Sequence, residues 1–161
     1  MAVTIAIETP LQNDVRALVA HLNDHLLPLS PVEFQFKMTV EQMAGSDTTL
    51  FVARDETGRA VGMGALKVHS PELGEVKRMF TLPEVRGQRV GSQLLTCIVD
   101  LARERGLNTV MLETGTGQGM AEAHRLYTRF GFTPRGPFLD YPESQWSAFF
   151  EMHLTAPAVP A

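Results

Sequence analysis

The sequence predicts an α+β (mixed α/β) fold, in which one mixed sheet of about six to seven strands is flanked by about four helices. Two observations lead to this prediction. Several stretches of the first half alternate apolar and polar residues, as strands do, whereas apolar residues recur at helical spacing after residue 90. A strand–loop–helix–strand unit also spans residues 74–114, and a right-handed crossover would make its two strands parallel neighbours.

A strand and two helices are predicted in the N-terminal part of the chain. Residues 3–8 ("VTIAIE") alternate and contain β-branched side chains, which is typical of a strand. Residues 10–26 carry apolar side chains at helical spacing, namely Val15, Leu18, Val19, Leu22 and Leu26. Thr39 is followed three residues later by a glutamine, a capping-box pattern that predicts a short helix at residues 39–43.

Three strands are predicted next. Residues 48–55 and 60–69 form a hairpin with Gly58 in its turn. Residues 74–82 form the next strand, which is antiparallel to its predecessor if the short link between them is a tight connection.

The remainder of the chain alternates helices and strands. Apolar positions predict a helix over residues 90–106, and residues 108–114 form an apolar strand. A helix at residues 120–130 ends before Gly131, and residues 132–138 and 147–154 form the last two strands.

Length and charge limit the class of protein. With 161 residues we expect one domain at 1–155, followed by a disordered tail at 156–161. The net charge of −4 argues against broad nucleic-acid binding. A secretory signal is not evident, and no stretch reaches the ~20 apolar residues of a membrane helix, so we expect a cytoplasmic protein without a membrane partner. The single Cys97 is expected to be a small core residue.

The stretch "PEVRGQRVGSQLL" (residues 83–95) indicates an anion site. A helix N-terminus leaves about four N–H groups unpaired and adds about half a positive charge. Gly87 and Gly91 would let a phosphate approach the backbone closely, with Arg86 and Arg89 nearby. For an isolated motif, turn glycines beside solvated arginines would be the simpler interpretation. The spacing matches neither a P-loop nor a dinucleotide fingerprint.

Two spaced motifs resemble the GNAT superfamily, the GCN5-related N-acetyltransferases. The family pattern [R/Q]-x-x-G-x-[G/A] is present as RGQRVG at residues 86–91, and A-x-x-L-Y-x-x-x-G-F is present as AHRLYTRFGF at residues 123–132. The order of elements also matches, and the resemblance implies a GNAT fold whose sheet splays between its fourth and fifth strands. The sequence departs from the pattern in two regions. Arg89 replaces the middle glycine, and Gly119 and Met120 occupy the region where relatives often carry an asparagine.

The resemblance implies acetyl-CoA as co-substrate, and no metal is expected. The N–H groups of residues 88–92 would hold the pyrophosphate, and the main chain of residues 79–81 would pair with pantetheine. The implied cofactor-binding residues are Met79, Phe80, Thr81, Arg86, Gly87, Gln88, Arg89, Val90, Gly91, Ser92 and Tyr127. Five histidines are scattered, and none completes a metal-ligand set. His69 ends a strand from which it could reach the site, although a lone histidine is more often a solvated edge residue.

The family's chemistry implies three catalytic candidates. Tyr127 aligns with the general acid, although a tyrosine at the core edge is a common alternative. Glu75 lies where several relatives carry the general base, but it could instead form a surface ion pair with Lys77. Glu113 is a second candidate base, and water could replace both. A backbone N–H near Met79 would stabilise the oxyanion.

The implied function is transfer of an acetyl group to a primary amine of a small molecule or peptide, by direct attack on the thioester. A CoA-binding sensor or regulatory module without turnover is the alternative, and larger acyl groups are a third possibility. Residues near the expected acceptor are Leu27, Phe34, Phe36, Phe138, Asp140, Tyr141, Glu143 and Trp146. They could bind an ammonium group, or pack a loop or the partner of a homodimer.

Overall fold

A mixed sheet of seven strands organises the computed structural model, which describes residues 2–154. The strands are β1 (Thr4–Ile7), β2 (Thr48–Arg54), β3 (Ala60–Val68), β4 (Leu73–Thr81), β5 (Thr109–Gly115), β6 (Thr133–Arg135) and β7 (Ser147–His153). They are ordered β1-β2-β3-β4-β5-β7-β6. The helices are α1 (Asn13–Leu26), α2 (Val40–Met43), α3 (Val90–Glu104) and α4 (Ala121–Phe130). The predicted fold class is confirmed, and the predicted tail at 156–161 lies outside the described residues.

The sheet splays between β4 and β5, as predicted. Within the described chain these parallel strands pair at three positions, Leu73↔Thr109, Gly74↔Val110 and Glu75↔Met111. Beyond Glu75, β4 continues to Thr81 along β3, while β5 continues along β7 to the pair Gly115↔Ser147. One edge of β4 is therefore left open towards β5.

Helices cover both faces of the central strands. The buried face of α3 packs against β2, β3 and β4 and consists of Val90, Leu94, Leu95, Ile98, Val99 and Ala102. Burial of each large apolar side chain there stabilises the folded state by about 1.5–3 kcal/mol relative to leaving it exposed. Leu94 and Ile98 lie against Gly62 and Gly64 of β3. Because β3 is buried at consecutive positions, α1, which also packs on it, covers the opposite face. Cys97 of α3 packs against this core, and burial raises the pKa of its thiol.

Local sequence signals account for several element ends. The predicted capping box is present, because the hydroxyl of Thr39 accepts from the Gln42 N–H at 3.1 Å and the Gln42 side chain accepts from the Thr39 N–H at 2.9 Å. The helix predicted at 10–26 begins later, at Asn13, after a turn in which the Leu11 N–H donates to the Thr9 hydroxyl. The strand predicted at 132–138 is shorter, because β6 ends before a Gly-Pro pair that cannot continue the ladder. Among residues 2–154, none of the helices combines the length and apolarity needed to cross a membrane.

Candidate active site

A cleft with a volume of about 1310 Å³ opens where β4 and β5 separate. Its walls are formed by α1 and the segment after it, by β4, by the loop before α3, by the end of β5 and by α4. All the predicted site residues line this cleft except Gln88 and Glu75. The structure therefore brings the two sequence motifs and Glu113 together around one space.

The loop before α3 presents backbone N–H groups to the cleft. Gly87 adopts a left-handed φ of 83°, and Arg89, the N-cap of α3, adopts a φ of 65°. The first hydrogen bond of the helix joins the Gln93 N–H to the Arg89 carbonyl, so the N–H groups just before Gln93 have no helical acceptor. Gln88 is different, because its N–H donates to the Val85 carbonyl at 3.2 Å. The prediction that Gln88 supplies an N–H to the anion does not fit this geometry.

Arg89 occupies the position of the middle glycine in the family pattern and adopts a left-handed backbone, which glycine accepts without strain. A left-handed conformation costs a non-glycine residue about 1–2 kcal/mol, and the loop accepts this cost at Arg89. Gly91 has a packing role, since a Cβ there would lie 3.2 Å from Leu126 of α4. The absence of a side chain at Gly91 thus lets the start of α3 approach α4.

Positive charge surrounds the mouth of the cleft. Arg86 and Arg89 of the loop and Arg125 and Arg129 of α4 all line it. The two arginines of α4 are one helical turn apart, on either side of Tyr127 in sequence. Arg125 and Arg129 are not among the predicted site residues, although their four-residue spacing within the second motif was the available signal.

A bulge interrupts β4 beside the open edge. The pairing with β3 shifts register between Met63 and Ala65, and Arg78 of β4 has a left-handed φ of 56°. The following residues, Met79 to Thr81, line the cleft on the edge that β5 leaves unpaired. An extended ligand bearing amide groups could pair with this edge as an added strand would.

Tyr127 and Glu113 both line the cleft, and the charge of Glu113 affects the ionisation of Tyr127. The Tyr127 ring is 6% exposed and packs against Phe132 and Phe150, with centroid distances of 5.9 and 6.1 Å. Burial, and then the charge of Glu113, raises the pKa of Tyr127. Burial also raises the pKa of Glu113, which accepts a hydrogen bond from the Ser147 hydroxyl at 2.8 Å. A neutral phenol thus faces the same cleft as a carboxyl group that binds its proton more tightly than usual.

Glu75 does not line the cleft and lies in a buried polar cluster beside a second cavity. It is 2% exposed and lines this second cavity of about 490 Å³. Its carboxylate accepts from the Tyr141 hydroxyl, and its Oε1 atom lies 2.8 Å from His69 Nε2. Lys77 Nζ donates to the Tyr141 oxygen at 2.9 Å and lies 3.5 Å from Glu75 Oε2. The alternative of a surface ion pair between Glu75 and Lys77 is wrong, because the pair is buried.

The residues considered for the acceptor divide into two groups. Phe34 and Phe36 line the cleft, together with leucines of α1 and the segment after it. Tyr141 instead packs against Phe36, Phe138 and Phe149, with centroid distances of 5.1, 5.0 and 5.8 Å. The loop-packing interpretation therefore describes Phe138 and Tyr141.

The other candidates for the acceptor lie outside the cleft. Leu27 is 52% exposed, Glu143 is exposed and Trp146 is half-buried. Asp140 lines the second cavity. Within residues 2–154, no three His, Cys, Asp or Glu side chains are grouped as metal ligands would be.

Comparison with known proteins identifies the family. The model of the acetyltransferase (GNAT) family matches residues 18–132. The IAA acetyltransferase of Azospirillum brasilense is 41% identical over 94% of this chain and 98% of its own length. The uncharacterized N-acetyltransferase YedL of Escherichia coli is 35% identical over 87% of each chain.

A solved structure agrees with these sequence relatives. The crystal structure of a proposed acyl-CoA N-acyltransferase from Klebsiella pneumoniae is 32% identical and superposes with a TM-score of 0.77, covering 95% of this chain and 98% of that one. By sequence motifs, by family match and by fold, the chain belongs to the acetyltransferase (GNAT) family.

Proposed function

We propose that this N-acetyltransferase uses acetyl-CoA to acetylate a primary amine of a small molecule. The observation that carries the proposal is the cleft between β4 and β5, which has the N-terminus of α3 at one part of its wall and Glu113 with Tyr127 at another. An anion-binding helix end and a pair of proton-handling groups in one cleft suit a polyanionic acyl donor and an amine.

The features of the cleft fit acetyl-CoA. The N–H groups at the start of α3 and the arginines at the mouth offer a site for the diphosphate. The open edge of β4, at Met79 to Thr81, offers main-chain partners for the pantetheine amides. When bound, acetyl-CoA supplies the thioester carbonyl that an amine nitrogen attacks. We assign stabilisation of the resulting negative charge to a backbone N–H near Met79, beside the bulge.

We assign the role of general base to Glu113. An amine must lose a proton before it attacks, and a base works best when its pKa lies near the working pH. Burial raises the pKa of Glu113 above its ordinary value, and so towards the working pH. The Ser147 hydroxyl donates a hydrogen bond that holds the carboxylate in place. Glu113 lines the cleft, whereas Glu75 lines only the second cavity, with Lys77 and Tyr141. We assign Glu75 the role of positioning Lys77, which lines both cavities.

We assign the role of general acid to Tyr127. Its raised pKa keeps the phenol protonated until the carbon–sulfur bond breaks, when the departing thiolate takes the proton. Glu113 takes the first proton from the ammonium group and later releases it to solvent. The second proton, lost by the attacking nitrogen, restores the phenol of Tyr127. The sum is one amide, one thiol and one proton from an ammonium ion and a thioester.

Thiol release tests this function against a binding module without turnover. The protein is mixed with acetyl-CoA and a panel of polyamines, amino acids, aminoglycosides and peptides, and free CoA thiol is measured continuously. Amine-dependent thiol release that is lost in Glu113→Gln and Tyr127→Phe would support the proposal. Binding of acetyl-CoA without release for any amine would contradict it and favour the sensor.

A further inference from the structure

Arg78 is a buried cation that lacks an anionic partner in the described part of the chain. It is 8% exposed, at the bulge of β4. One of its terminal nitrogens donates to the Asn23 side-chain oxygen on α1, which is uncharged. Among residues 2–154, no Asp or Glu forms an ion pair with it and its Nε has no hydrogen-bond partner. Neighbouring Lys77 differs, because it lies 3.5 Å from the Glu75 carboxylate.

A buried cation without an anionic partner is unfavourable unless a bound ligand supplies the opposite charge. Burying a charge without a counter-ion is costly, since the solvation that the ion loses is not replaced. Burial lowers the pKa of Arg78 to about 10, so the guanidinium is still a cation at neutral pH. A left-handed backbone adds about 1–2 kcal/mol for a non-glycine residue. Both costs fall on one residue, Arg78, which lines the cleft.

The surroundings of Arg78 identify which ligand could reach it. Its contact with Asn23 directs the side chain from β4 towards α1, and the adjoining cleft wall includes Leu22, His25 and Leu26 of that helix. The arginines proposed for the diphosphate belong instead to the loop before α3 and to α4. Arg78 therefore lies at a part of the cleft wall different from that of the arginines proposed for the diphosphate.

We propose that Arg78 binds an anionic group, a carboxylate or a phosphonate, on the amine that is acetylated. This rests on the proposed function and narrows its substrate class to amines that carry a negative charge near the nucleophilic nitrogen. Glu113 in the same cleft suits the ammonium end, and Phe34 and Phe36 suit an apolar part of the same molecule. Guanidinium groups bind carboxylates and phosphonates through paired hydrogen bonds, to which the unpartnered Nε can contribute.

The test compares matched acceptors that differ in one charge. Phenylalanine is paired with phenylalaninamide, and 1-amino-2-phenylethylphosphonate with its neutral diethyl ester, in both the wild type and Arg78→Met. The quantity measured is the kcat/KM ratio of the anionic to the neutral member, because comparing this ratio between enzymes cancels differences in amine basicity. We expect Arg78→Met to lower the ratio roughly 10- to 100-fold, chiefly through KM of the anionic acceptor.

Two further variants keep the test decisive if Arg78→Met folds poorly. Asn23→Asp leaves Arg78 in place and sets a carboxylate beside it, so it should compete with the acceptor's anion and lower the same ratio. Arg103→Met, an exposed arginine that pairs with Asp100 on α3, is the matched control and should leave the ratio unchanged.

The outcomes separate the two proposals. A ratio unchanged in both Arg78→Met and Asn23→Asp, with amines still acetylated, would overturn the role of Arg78 and leave the proposed function intact. Failure of the wild type to acetylate any amine while binding acetyl-CoA would overturn the proposed function itself. A lowered ratio in either acceptor series supports the role of Arg78 and identifies the anion as carboxylate or phosphonate.

Discussion

The Tyr141 hydroxyl donates a hydrogen bond to the buried carboxylate of Glu75, a residue 66 positions away in the sequence. This bond ties the segment before β7 to β4 at the point where β4 and β5 stop pairing. The same hydroxyl accepts from Lys77, so three polar groups satisfy one another in a site removed from water. Burial, and then the negative charge of Glu75, raises the pKa of Tyr141, which stays a donor at every pH used for assays.

Tyr141→Phe should destabilise the protein. The substitution leaves the Glu75 carboxylate short of one donor while it stays buried, which costs about 1–3 kcal/mol of unfolding free energy. For a chain of this size each kcal/mol lowers Tm by about 2–4 °C. Thermal unfolding followed by circular dichroism measures the change. The chain has one other tyrosine, Tyr127, whose packed ring phenylalanine preserves, so Tyr127→Phe is the matched control. Equal Tm losses in the two variants would contradict the structural role assigned to Tyr141.

Tyr127→Phe should instead lower kcat. Loss of a general acid typically slows the step about 10²–10⁴-fold. The KM for acetyl-CoA should change little, because the ring still packs against Phe132 and Phe150. Steady-state thiol release with varied acetyl-CoA separates the two constants. A wild-type kcat in this variant would remove Tyr127 from the chemistry.

Glu113→Gln should abolish most of the activity while increasing stability at neutral pH. Since the pKa of Glu113 is raised, the folded state holds this proton more tightly than the unfolded chain does. The contribution of this tighter proton binding to the free energy of unfolding is present at low pH and is lost as pH rises through the raised pKa of Glu113. The gain in Tm from glutamine should therefore be larger at pH 8 than at pH 5. A Tm difference that does not depend on pH would contradict a raised pKa at this site.

The same ionisation should set the acid limb of the pH–rate profile. A base must be deprotonated to work, so kcat/KM should fall as pH drops through the raised pKa of Glu113, above the usual value of 4.5. Profiles recorded with saturating acetyl-CoA locate this limb. In Glu75→Gln, the limb should persist and shift to lower pH if Glu75 only positions Lys77, because the negative charge of Glu75 also raises the pKa of Glu113. Loss of the limb in Glu75→Gln would assign the base to Glu75 instead.

Gly87→Val should raise the KM for acetyl-CoA by at least about tenfold. Its left-handed φ of 83° is strained for a β-branched residue, by an amount on the order of 1–3 kcal/mol, so the loop should leave the shape that presents its N–H groups. Arg89→Gly is the matched control, because glycine accepts the φ of 65° and only the charge is lost. The effect of Arg89→Gly on the KM for acetyl-CoA should be weaker than that of Gly87→Val and should shrink as salt is added. Equal effects of the two variants at all salt concentrations would contradict the role given to loop shape.

The features that the sequence predicted correctly are those written in local patterns. The capping box of Thr39 and Gln42 lies within four residues, and the apolar face of α3 repeats at helical spacing. The splay between β4 and β5 followed from the resemblance of two short motifs to a family. Residues 123–132 place Tyr127 in the cleft because the whole motif is a single helix and its end.

The features that could not be predicted depend on partners far away in the sequence. Nothing in "GEVKR" indicates that Glu75 is buried, because its partner Tyr141 comes from the segment before β7. The sequence does not indicate that Arg78 is buried, because Asn23, which accepts its hydrogen bond, comes from α1. Gln88 fits the loop motif, yet its N–H turns back to Val85. A sequence pattern gives the identity of a polar group, whereas its burial and partners depend on tertiary packing.

Calorimetric titration of the pure protein with acetyl-CoA and with S-acetylpantetheine tests the central claim most directly. The second compound keeps the thioester and the amides but lacks the diphosphate that we assign to the N-terminus of α3 and the arginines of the mouth. We predict saturable heat with one site per chain for acetyl-CoA, and binding at least about 100-fold weaker for acetylpantetheine. Absence of heat with acetyl-CoA, or equal affinity for the two compounds, would contradict the account.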